Sequence, residues 1–129
     1  MAHKETRSPF DRTQGLGSAR EGVGHWRMQR VTALALILLT LWFAASLIAR
    51  ARSDYGAFIQ WLDTSLTSVL MVLLLIALFY HMALGLQVVV EDYVHADHIK
   101  MPTVVVIHLG CFALAAAGII ATLRIAFGR

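Results

Sequence analysis

Three stretches without a single formally charged residue, 31–49, 64–90 and 101–123, limit what this chain can fold into more than any other feature. Each is long enough to cross a hydrocarbon core of about 30 Å at about 1.5 Å per helical residue. Composition agrees. Of the 129 residues, 58% are hydrophobic and 15% are charged, too little polar surface for a soluble domain of this length to cover its core. The fold class this implies is all-α, an integral membrane bundle of three transmembrane helices with a polar N-terminal arm.

The spans are expected at about 31–49, 65–90 and 103–123, within a membrane anchor domain of residues 31–125. Pro102 suits the first turn of the third helix, where its missing N–H costs nothing. Residues 1–30 form the arm. It is no signal peptide, because the first apolar run begins only at Val31, and Glu5, Asp11 and Glu21 argue against an organellar presequence. Rich in Gly, Ser and Arg, it is expected to lack regular structure until something binds it. Between the first two spans, Ala57, Phe58, Trp61 and Leu62 recur at helical spacing, which suits a short helix at the membrane surface.

The net charge of +3 does not point to nucleic acid, since the basic residues form no patch with interleaved aromatics. They lie outside the spans and report orientation instead. Lys4, Arg7, Arg12, Arg20, Arg27, Arg30 and Lys100 fall on one side; Arg50, Arg52, Arg124 and Arg129 fall on the other. The excess favours a cytoplasmic N-terminus and second loop. Cys111, the single cysteine, lies inside the third span and reads as a small buried apolar residue.

Chemistry concentrates near the end of the second span, in YHMALGLQVVVEDY, Tyr80 to Tyr93. His81 is titratable inside an apolar run, so it should face protein, a cavity or a cofactor. One reading is a neutral imidazole bonded to a neighbouring helix; the other is a haem axial ligand. Gly85, one turn on, lacks the side chain that would hold a flat macrocycle off the backbone, although small residues also serve plain helix–helix contact. At about 100° per residue, His81, Gly85, Val88 and Asp92 fall within roughly 60° of one another. The carboxylate is about 16 Å from the imidazole along the axis, so the two share a seam without touching.

Tyr93 carries a phenol able to donate to a carbonyl, or serves as an ordinary interfacial tyrosine. Asp92 sits where a carboxylate is unfavourable, at a helix C-terminus. Arg30 either snorkels or pairs with a cofactor carboxylate such as a haem propionate. His25 and Trp26 read as interfacial, and Arg27 as a snorkelling anchor. His108, in the third span, reads as an internal hydrogen-bonding residue. His95, Asp97 and His98 in VHADHIK fit a solvated or proton-conducting loop better than a metal site. Met71, Met82 and Met101 read as packing residues.

The spacing His-x3-Gly-x6-Asp-Tyr, here His81, Gly85, Asp92 and Tyr93, resembles the signature of the D-type membrane-anchor subunits of succinate dehydrogenase. QRVTALAL, from Gln29 to Leu36, resembles the start of that family's first helix, and GLGSAREGVGHW, from Gly15 to Trp26, the arm of its alphaproteobacterial members. The resemblance implies a subunit without catalytic activity of its own that pairs with a second three-helix anchor, the C-type subunit. One haem b would lie between the two, with His81 as one axial ligand, Gly85 packing on the haem and Arg30 near its propionates. Tyr93 would hydrogen-bond a ubiquinone carbonyl, and Asp92 would help arrange that site. Electrons from succinate would arrive through flavoprotein and iron–sulfur subunits docked on the cytoplasmic face. Two other readings remain: a small membrane protein using His81, Asp92, His95 and His98 as a proton relay, and a structural assembly factor without haem. The glycine one turn from His81 favours haem, since a relay has no need of it.

Overall fold

A computed structural model describes residues 9–128, and side chains from residue 22 to residue 128. The described chain is all helical: α1 (Pro9–Ala49), α2 (Tyr55–Asp63), α3 (Ser65–Tyr93) and α4 (Asp97–Phe127). Gly22–Ala49 of α1, together with α3 and α4, are long and apolar enough to cross a membrane. This is a multi-pass membrane protein. Helices satisfy every backbone group within their own segment, which the hydrocarbon core demands.

The helices overrun the charge-free runs because such runs measure only the hydrocarbon, while the helix continues through the headgroup region. Two expectations change as a result. Pro102 lies inside α4, in its second turn, because the helix already starts at Asp97. Nearby, the Thr103 hydroxyl donates to the Ile99 carbonyl at 2.7 Å. Residues 9–30, expected to lack regular structure, continue α1 without a break. Helix nucleation is costly and propagation cheap, so a helix set by a span runs on through the glycines as far as Pro9, a residue suited to a first turn.

The surface helix expected between the first two spans is α2. Asp54 caps it, accepting from the Ala57 N–H at 2.8 Å, and it buries Trp61 and Leu62. Trp61 stacks on Trp42 of α1 and Phe58, at 6.1 and 5.4 Å between centroids, with the Arg50 guanidinium 4.6 Å from its ring. Thr64 alone separates α2 from α3; its hydroxyl bonds the Trp61 carbonyl. Ser68, buried in the first turn of α3, takes the Leu62 carbonyl at 2.7 Å. Carbonyls left open at the end of α2 are thereby satisfied.

Among the described residues, α3 packs against α1 on one side and α4 on the other, and α1 and α4 do not pack against each other. The residues buried along this row are small: Thr67, Ser68, Ala77, Ala83, Cys111 and Thr122, with Leu74 and Leu84. Helices in lipid gain little from hydrophobic transfer and associate through close packing, which small residues allow. At Gly118 of α4, an added Cβ would come within 3.1 Å of a Leu75 methyl of α3. The accessible surface is 10167 Å². A compact soluble chain of 14.2 kDa would expose about 6,800 Å². Large apolar side chains of the described helices, among them Leu38, Ile48, Leu66 and Phe112, are exposed, which suits lipid or neighbouring membrane helices.

Candidate functional site

The inward stripe of α1 follows alternating steps of four and three: His25, Gln29, Thr32, Leu36, Leu39, Phe43 and Ser46 are all half-buried. Such spacing keeps one face of a helix turned toward its neighbour. Here the neighbour is α3, and the first three residues of the stripe are polar. Thr32 Oγ1 lies 3.0 Å from His81 Nδ1. One turn along, a Cβ added to Gly85 would lie 3.5 Å from the Gln29 side-chain nitrogen. These two contacts set an antiparallel register that brings His25 level with Val88 and Val89.

His81 is half-buried, and its Nε2 makes no hydrogen bond among the described residues. The space beside Gly85, expected to be bare backbone open to a macrocycle, is occupied by the Gln29 amide at ordinary van der Waals distance. Helical projection identifies a face but not the side chain that meets it. Gln29 Oε1 and His25 Nε2 are buried without hydrogen-bond partners. His25 is therefore turned into the α1–α3 seam and is not a purely interfacial residue. Thr32, Gln29 and His25 were not singled out as site residues from the sequence. The signal was the continuation of the apolar stripe backward through three polar positions.

The other expected residues share an end of the molecule with this seam without touching His81. Tyr93 is 80% exposed, and Asp92 is exposed beside it in the last turn of α3. Glu91 accepts from Gln87 at 2.7 Å, one turn back. Arg30 is exposed, with its guanidinium 4.5 Å from the centre of the Trp26 ring. The residues of the alternative relay are dispersed. His95 lies exposed in the connection between α3 and α4, and His98 in the first turn of α4. Asp97 pairs with Lys100 at 3.2 Å on the surface.

His108 bonds within its own helix, from Nδ1 to the Val104 carbonyl at 2.9 Å. It borders an apolar groove of about 540 Å³ between α3 and α4, with Ile76, Tyr80, Ala83 and Phe112. Cys111 is buried as expected of a small apolar residue. Of the methionines, Met71 and Met82 are half-buried, whereas Met101 is 67% exposed.

The seam therefore holds an imidazole with a bonded Nδ1 and an open Nε2, that of His81, beside the polar Thr32, Gln29 and His25 and toward the end of α3 that carries an acid–phenol pair. Residues 4–122 match the family model described as succinate dehydrogenase/fumarate reductase transmembrane subunit. The succinate dehydrogenase hydrophobic membrane anchor subunit of Rickettsia bellii is 30% identical over 115 residues, which cover 89% of this chain and 92% of that protein. The protein of the same name from Rickettsia felis is 32% identical over 101 residues, 78% of this chain and 83% of its own length. That of Rickettsia conorii is 28% identical over 106 residues, covering 81% and 84%. With nearly its whole length matched, this chain belongs to the succinate dehydrogenase/fumarate reductase transmembrane subunit family.

Proposed function

We propose that this chain is the hydrophobic membrane anchor of a succinate:ubiquinone oxidoreductase, sharing a haem b and contributing to the ubiquinone-reduction site. The observation that carries the haem reading is the state of His81. Its Nδ1 is engaged inside the chain, and its Nε2 carries no hydrogen bond. An imidazole held by one nitrogen and open at the other fits an axial ligand. Bound there, haem supplies one-electron transfer within the bilayer.

Among the described residues, His81 is the seam histidine with one nitrogen bonded to a neighbouring helix and the other open, and a row of three helices leaves broad apolar faces uncovered. A second anchor subunit would bring the other ligand and the other wall. Gly85 lies one turn from the ligand, and close approach of the macrocycle there requires the Gln29 amide to move aside. Arg30, held by nothing stronger than a stack on Trp26, is free to turn toward a propionate. Flavoprotein and iron–sulfur subunits would dock on the cytoplasmic face, at the end that carries the N-terminal arm, Asp92 and Tyr93. There Tyr93 would donate a hydrogen bond from its phenol to a quinone carbonyl, and Asp92 would order the polar surroundings.

The test is the visible spectrum of the complex purified through this subunit. A low-spin b-type haem reducible by succinate is expected, together with co-purifying flavoprotein, iron–sulfur and second anchor subunits. A complex without haem would overturn the haem reading. The quinone site needs its own test. Tyr93→Phe removes a neutral hydrogen bond of about 1 kcal/mol, so kcat/KM for ubiquinone should fall about fivefold with haem content unchanged. Unaltered turnover in that variant would remove Tyr93 from the site.

A further inference from the structure

We propose that Thr32 is a positioning residue for His81: its hydroxyl accepts a hydrogen bond from His81 Nδ1–H and so holds the tautomer that presents the Nε2 lone pair to iron. The inference rests on the reading of His81 as a haem ligand.

Counting protons around the Thr32 hydroxyl fixes which partner donates. Thr32 Oγ1 has three neighbours within bonding distance: the Met28 carbonyl at 2.8 Å, the Gln29 carbonyl at 3.1 Å and His81 Nδ1 at 3.0 Å. A hydroxyl has one proton to give and lone pairs to receive with. The two carbonyl oxygens can only accept. Were the proton directed at His81, Thr32 Oγ1 and the Met28 oxygen would face each other at 2.8 Å with no proton between them, a repulsive contact. The proton therefore lies toward the α1 carbonyls, as in the usual bond from a helical threonine to the residue four back. What remains for His81 is a lone pair, so Nδ1 must be the donor. A neutral imidazole that donates from Nδ1 has its lone pair on Nε2.

This bond also crosses between helices. Its partners are 49 positions apart, and among the described residues no other side-chain hydrogen bond joins two of the three long helices. It sets the orientation of the ring as well as its tautomer. An acceptor on Nδ1–H makes the ring a stronger electron donor, which favours the oxidised metal. Loss of the acceptor should therefore shift the haem midpoint potential in the positive direction.

Thr32→Val keeps shape and β-branching and removes the acceptor. In the whole purified complex it should shift the haem potential positive, alter the low-spin electron paramagnetic resonance signal, and weaken haem retention about 10- to 100-fold. Thr32→Ser, which keeps the hydroxyl, should restore potential and signal. Should the valine variant not assemble, Thr32→Cys, with a weakly accepting thiol of similar size, takes its place with an intermediate shift expected. A merely structural role would lower complex stability in Thr32→Val but leave the potential and resonance signal as in the wild type; that result overturns the proposal. His81→Ala separates the two levels of the argument. If it retains full haem, the ligand reading fails and Thr32 falls with it. If it loses haem while Thr32→Val matches the wild-type potential, only the positioning role fails.

Discussion

Replacing His81, the proposed axial ligand, by alanine is expected to leave the assembled complex without b-type haem, with haem per flavin falling at least about tenfold in a reduced-minus-oxidised spectrum. The expectation follows from donor chemistry, since alanine has nothing to coordinate iron and the seam's other described histidine, His25, lies at a different depth. His25 lies on α1 level with Val88 and Val89, about two turns from His81 along the axis. The variant should still fold. The Thr32 hydroxyl keeps its bond to the Met28 carbonyl, and only one neutral hydrogen bond between helices is lost, about 0.5–1.5 kcal/mol. Haem loss with intact subunit composition is thus the specific outcome. Normal haem content in His81→Ala would place the ligand elsewhere, and His25 in the same seam and His108 in α4 would be the next to replace.

Trp61→Ala should produce the largest stability loss without touching the haem. Trp61 is 8% exposed and lies against Trp42, Phe58 and the Arg50 guanidinium, which ties α2 to the end of α1. Truncating a buried tryptophan costs about 3–5 kcal/mol in soluble cores. The lower figure suits this site, where detergent or lipid can refill part of the space. The apparent Tm of the solubilised complex should fall by several degrees, and Trp61→Phe should recover most of it. By the α1–α3 register, Trp42 lies about 15 Å from His81 along the bundle. At that separation effects add independently, so the haem spectrum should not change. A changed spectrum would mean that α2 sets the packing around His81 at a distance.

These two positions differ in how legible they were. The surface helix at Trp61 was readable because four apolar residues recur with the helical period within one short segment. The His81 end was half readable. His81 stood out as an ionisable residue in an apolar run, and Gly85, Asp92 and Tyr93 followed from spacing and from family resemblance. Thr32 looked like any β-branched residue in a first span, and Gln29 like the residue before a charge. Their importance depends on the register between α1 and α3, helices separated by more than a dozen residues of connection and surface helix. No local pattern encodes that register.

The sequence by itself determined the number of long apolar helices and their order, because water exclusion forces charge out of the hydrocarbon, and the helical rise gives the spacing of candidate residues along each helix. Tertiary structure decided that α3 is the central helix, that Gly85 meets Gln29, and that Thr32 holds His81. Helical periodicity gives the direction of a side chain about its own axis. Which group waits there depends on how two distant helices pack, and that in turn depends on the small residues that let them approach.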